Sequence, residues 1–142
     1  MDTKFSTAIH TLILISESQD SLSSDQIAAS VGTNASYIRK ITSMLKKAGI
    51  IESHRGISGF SLGRKAEDIC LMDVLRAVTG NDGNHLFDIH QNSGGSSEIG
   101  RNIKPVLIDM FSGIEDQIKM ILTKETLADC VVLLKKRVAQ EK

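Results

Sequence analysis

The sequence predicts a mainly α-helical chain that carries one small β-hairpin and ends in a long amphipathic helix. Three observations lead there. Among 142 residues there is one Pro, no Trp and 4% aromatic residues, and Ile, Leu, Ser and Lys abound, a mixture that favours helix. Apolar residues recur at helical spacing along most of the chain. Between residues 50 and 62 that period drops to two. With 41% hydrophobic residues, a chain of this length can bury a core without disulfides.

The elements follow in order. Phe5, Ala8, Ile9, Leu12, Ile13 and Ile15 form one stripe, so residues 5–18 read as a helix. Gln19 to Ser21 is a polar break. Ser23-x-x-Gln26 is a capping box, flanked by Leu22 and Ile27 at the positions of a hydrophobic staple. A short helix therefore starts at Ser24, turns Ile27, Ala28 and Val31 inward, and stops at Gly32. Asn34 caps a third helix over Ala35 to Ala48. Ile38, Ile41 and Leu45 form its buried face, with Tyr37 and Met44 beside them, and Gly49 ends it. Two short helices joined by a tight glycine turn have helix-turn-helix spacing. Ile50 to His54 then reads as a strand, Arg55 to Gly59 as a turn, and Phe60-Ser61-Leu62 as the returning strand. A hairpin directly after the third helix makes the expected unit a winged helix-turn-helix.

Residues 68–79 read as a fourth helix with Leu71, Val74, Leu75 and Val78 inward, ending at Gly80. Residues 80–97 are a Gly-, Asn-, Ser- and His-rich loop with a short ordered piece at His85 to Ile89. A long helix over about 98–122 carries Ile99, Ile103, Leu107, Met110, Ile114, Ile118 and Ile121 at steps of three and four, a coiled-coil-like seam. Pro105 must kink this helix or lie near its start. A last helix over about 124–138 holds Leu127, Val131 and Leu134, then Lys135-Lys136-Arg137. The expected organisation is a winged helix-turn-helix over 1–80, a loop over 81–97, and a long C-terminal dimerisation helix with the last helix over 98–142.

Net charge is zero, but its distribution is uneven. Residues 33–65 hold seven basic residues and one acid; residues 66–142 hold nine basic and twelve acidic. A basic module followed by an acidic one suits a nucleic-acid reader with a separate partner-facing part. On the third helix the outward positions are Ser36, Arg39, Lys40, Ser43, Lys46 and Lys47. Short polar and basic side chains at a helix N-terminus are what major-groove reading requires, so Asn34, Ser36, Tyr37, Arg39, Lys40 and Ser43 are the candidate double-stranded DNA contacts. Arg55-Gly56 at the hairpin tip suits a narrow minor groove. Arg64 and Lys65 would lie near the phosphates. The seam on the long helix is expected to join two copies, because an exposed apolar stripe of that length is a liability. A two-fold pair of readers implies a near-palindromic site.

The rest is a set of expected absences. Cys70 and Cys130 are too few for a disulfide scaffold, and a reduced cytoplasmic setting fits them. The N-terminus shows no signal-peptide pattern, and no apolar run is long enough for a membrane. His10, His54, His85 and His90 lack metalloprotease spacing, and neither a phosphate loop nor a nucleophile elbow is present. An enzyme is not expected. Gly94-Gly95-Ser96-Ser97 before a helix could hold an anion but reads more simply as linker.

Four segments together resemble the Rrf2 family of bacterial winged-helix transcription regulators. They are Asn34-Ala35-Ser36-Tyr37-Ile38-Arg39-Lys40, Leu45 to Gly56, Ile69 to Gly80, and Thr126-Leu127-Ala128-Asp129. The resemblance implies homodimers joined by the long helix and transcription control, commonly repression. It also implies base contacts from Ser36, Tyr37 and Arg39, and a minor-groove arginine at Arg55. Many members bind an iron–sulfur cluster through three cysteines before the dimerisation helix. Residues 80–100 contain no Cys, and such clusters require thiolates, so no cofactor is expected; any small effector is unknown. The family's Gly-Pro-Gly-Gly-Gly-Tyr wing is here Gly56-Ile57-Ser58-Gly59-Phe60. Two other readings stay open: a regulator responding through thiol or metal chemistry at Cys70, Cys130 or the loop histidines, and a winged-helix module that binds protein.

Overall fold

The computed structural model describes residues 3–53, 59–79, 86–91 and 96–141. Among them six helices and one hairpin follow in the order α1 (Lys4–Glu17), α2 (Ser24–Val31), α3 (Ala35–Lys47), β1 (Ile51–Ser53), β2 (Phe60–Leu62), α4 (Leu71–Thr79), α5 (Glu98–Lys124) and α6 (Leu127–Gln140). One 3₁₀ turn, Ala66–Asp68, precedes α4. None of the described helices is long and apolar enough to cross a membrane.

Local capping sets the helix-turn-helix. Ser23 accepts a hydrogen bond from the Gln26 amide, and the Gln26 side chain accepts one from the Ser23 amide. Both otherwise orphaned donors are thereby satisfied. Gly32 ends α2 at φ +85°, and its amide bonds back to Ala28; any side chain there would be strained. Asn34 then caps α3, its Oδ1 accepting from the Tyr37 amide at 2.8 Å. Ile38, Ile41 and Leu45 on α3 meet Leu12 of α1, Ile27 of α2 and Val74 of α4 in one buried core. Thr42, not anticipated as inward, is buried with them. β1 pairs antiparallel with β2 in the register Ile51↔Leu62, Glu52↔Ser61, Ser53↔Phe60, which seats the hairpin directly behind α3.

The fourth helix departs from its expected start. It begins at Leu71 rather than 68, because the chain just before it pairs with the entrance to α6. The Leu71 amide donates to Glu125 and the Leu127 amide to Ile69, both at 2.8 Å, making a bridge between Cys70 and Thr126. Cys70 is thus a half-buried bridge residue, not a helical one. The inward face turns with the shifted start: Met72 is buried with Val74, Leu75 and Val78, and Leu71 only half-buried.

Pro105 lies inside α5 as its eighth residue, rather than near its start. Its ring removes the amide that would bond the Arg101 carbonyl. Both residues are exposed, so water can take that place.

One packing defect is testable. Thr11 on α1 is fully buried and its hydroxyl has no hydrogen-bond partner. A buried, unsatisfied hydroxyl costs on the order of 1–3 kcal/mol. Thr11→Val keeps the shape and removes the orphan, so it should raise stability by about 1 kcal/mol. Thermal melting reads this as a higher Tm; an unchanged or lower Tm would show that the hydroxyl is satisfied in solution.

Candidate nucleic-acid interface

The third helix presents a polar, basic face built on a rigid support. Ile38, Ile41, Thr42 and Leu45 fix one side in the core. Asn34, Ser36, Arg39, Lys40, Ser43, Lys46 and Lys47 are exposed on the other. Arg39 and Lys40 form no ion pair with a described residue, so their donors point to solvent. Charged donors on a helix that cannot shift are suited to base edges and phosphates. Asn34 is exposed too, but its carbonyl oxygen is committed to the cap. Tyr37 is half-buried and packs against the core. Its hydroxyl lies 3.4 Å from Thr3 Oγ1, which ties α3 to the start of α1.

Arg64 is engaged elsewhere. Its guanidinium meets Asp73 of α4 at 3.2 Å, and Asp73 also faces Arg76 at 3.8 Å. These three line a groove with Ala48, next to the C-terminal end of α3 rather than its reading end. Arg64 therefore fastens the root of the hairpin to α4. The expected phosphate contact there would have to share the guanidinium with this partner nine residues away. Arg55 and Gly56, expected at the tip, lie outside the described residues, as do His54 and His85.

The predicted seam divides. Ile99, Met110, Ile114 and Ile121 are exposed on the single chain, whereas Ile103, Leu107 and Ile118 are half-buried. Val106 is exposed as well. At about 100° per residue, Ile99, Val106, Met110, Ile114 and Ile121 share one narrow face. On α6, Leu127 and Val131 enter the core, while Leu134 is exposed with Val132, Leu133 and Val138.

The segment ahead of α5 is fastened to that helix. Glu115, the only buried residue of α5, accepts a hydrogen bond from the Leu86 amide at 2.9 Å. The Phe87 ring lies 5.6 Å from that of Phe111. The donor set here does not fit the family's iron–sulfur cluster. The loop carries no thiol, and both cysteines lie elsewhere, Cys70 at the bridge to Thr126 and Cys130 on α6. Nor do the described residues include a group of three or more metal-ligating side chains. Burial, then the carboxylates of Asp129 and Glu125, push the Cys130 thiol above its ordinary range. Thiolate is the reactive form, so this environment disfavours oxidation at Cys130.

Comparison with known proteins agrees with the geometry. The Rrf2 family, described as iron-dependent transcriptional regulators, matches residues 1–132. The candidate HTH-type transcriptional regulator YwnA of Bacillus subtilis (strain 168) is 35% identical over 129 residues, covering 91% of this chain and 95% of YwnA. A crystal structure described as a candidate DNA-binding protein superposes with TM-score 0.73 at 33% identity, covering 89% of this chain and 97% of that one. CymR, the global cysteine regulator of B. subtilis, shares the fold at TM-score 0.68 and 22% identity, with 93% and 95% of the two chains covered. These relatives are regulators, not enzymes. The chain belongs to the Rrf2 family of winged-helix, DNA-binding transcriptional regulators.

Proposed function

We propose that this chain is a sequence-specific double-stranded DNA-binding repressor that acts as a homodimer on a near-palindromic site. The first turns of α3 read the major groove and the hairpin tip at Arg55 and Gly56 enters the minor groove. The observation that carries the reading is the exposed row Ser36, Arg39, Lys40 and Ser43 on a helix locked at one end by Asn34 and along one side by the core. The homodimer is supported by the exposed face of Ile99, Val106, Met110, Ile114 and Ile121, since so long an apolar strip is stable in water only when covered.

The test is selection of purified protein against a randomised duplex library at moderate salt. A near-palindrome with two half-sites is the expected product. Enrichment of single half-sites would remove the dimer, and no enrichment at low salt would favour a protein-binding module.

The same reading has the protein working without an iron–sulfur cluster, because the loop before α5 supplies no thiolate. Incubation with ferrous iron and sulfide under reducing, anaerobic conditions should produce no visible charge-transfer absorption on the protein and leave duplex affinity unchanged. A stable coloured species would overturn it.

A further inference from the structure

We propose that a groove between the start of α1 and the start of α3 seats one backbone phosphate of the bound duplex, with Thr7 as its donor. The inference rests on the DNA-binding reading and adds a contact outside the exposed row of α3. The groove is lined by Thr3, Ser6, Thr7, His10, Thr33 and Tyr37 among others, and no carboxylate lines it. Most of these polar groups are spoken for. Ser6 donates to the Thr3 carbonyl, Tyr37 meets Thr3, and His10 meets Ser30.

Thr7 differs. The residue is 7% exposed, it lines the groove, and its hydroxyl makes no hydrogen bond within the protein. Unlike the Thr11 hydroxyl it is not fully enclosed, so it opens on the groove and can donate to a group that enters it. The surroundings favour an anion. The first turn of α1 presents its positive end, with first-turn amides that lack intrahelical acceptors, and its N-cap residue Thr3 makes no side-chain cap. Tyr37 lines the same groove and lies between Ser36 and Arg39 in the first turns of α3, so a duplex read by those residues brings its phosphates to this end of α3. The ligand chemistry is therefore a phosphodiester oxygen accepting from the Thr7 hydroxyl.

The test uses the full-length protein and a duplex enriched in the library selection, whose binding by wild type is established first. Failure of wild type to bind any duplex sinks the DNA-binding reading; the comparisons below bear on the groove alone. Thr7→Val removes the hydroxyl and keeps the shape. It should weaken binding about tenfold, on selected and unrelated duplexes alike, without lowering Tm. Thr7→Ser should bind as wild type. A duplex series with single neutral methylphosphonate substitutions should contain one position that weakens wild type and leaves Thr7→Val unaffected. Equal affinity of Thr7→Val and wild type, or equal losses in the Val and Ser variants, would overturn the proposal. So would the absence of a phosphate position whose effect depends on Thr7.

Discussion

Replacing Arg39 by alanine is expected to lower affinity for the selected duplex by about 10- to 100-fold, the range that loss of one bidentate base contact produces. Arg39 is exposed, lies on the face opposite Ile38 and Ile41, and has no partner among the described residues. Its removal therefore leaves the core and its folding free energy untouched. The loss should be concentrated on one base position of each half-site, and discrimination at that position should relax. Lys46→Ala, about two turns further along α3, should instead weaken binding evenly across sequences and lower the salt dependence by about one counterion. Binding isotherms on a panel of single-base variants at two salt concentrations separate the two. If Arg39→Ala lost affinity uniformly, Arg39 would be a phosphate contact and base reading would fall to Ser36 and Ser43.

Ile114→Asp should have the larger effect on assembly. Ile114 is 47% exposed on the single chain and sits near the middle of the apolar face. A carboxylate there costs the folded chain little, because water already reaches it. Across a two-fold interface two such charges would be desolvated without partners, which costs several kcal/mol. The expected result is a folded monomer at micromolar concentration by sedimentation. Its affinity for a two-half-site duplex should fall about a hundredfold or more, since the linked second half-site is lost, while a single half-site binds it as it binds wild type. A variant that remained dimeric would place the interface elsewhere, with the exposed α6 residues Leu133 and Val138 as the next choice.

Much of this was legible in the sequence because the determinants are local. Ser23 and Gln26, Gly32 and Asn34 act within three or four residues of themselves, so the spacing that announces a cap is also the geometry that forms it. What was illegible depended on partners far along the chain. The pairing of residues 69–71 with 125–127 draws Cys70 out of α4 and rotates Met72 inward; no periodicity within 68–79 contains that information. Arg64 looked like a free cation until the fold brought Asp73 to it. Thr7 and Thr11 break an otherwise apolar stripe, and only the packing of α1 against its neighbours distinguishes a hydroxyl facing a groove from one facing nothing. On α5 the apolar spacing alone does not tell the half-buried Leu107 from the exposed Val106 beside it; the packing of the single chain does.

The position of α4 has a mechanical consequence. It packs against α1, α3 and α5, and Asp73 on it grips the hairpin root through Arg64. Among the described residues, the third helix, the hairpin root and the long helix all meet this one short strut. In a symmetric pair of such bodies the separation of the two heads is inherited from the helix crossing. For the proposed dimer, helical phasing of the duplex would then be selected together with its bases: one inserted base pair between half-sites turns the second by roughly 35° and carries it about 3.4 Å away.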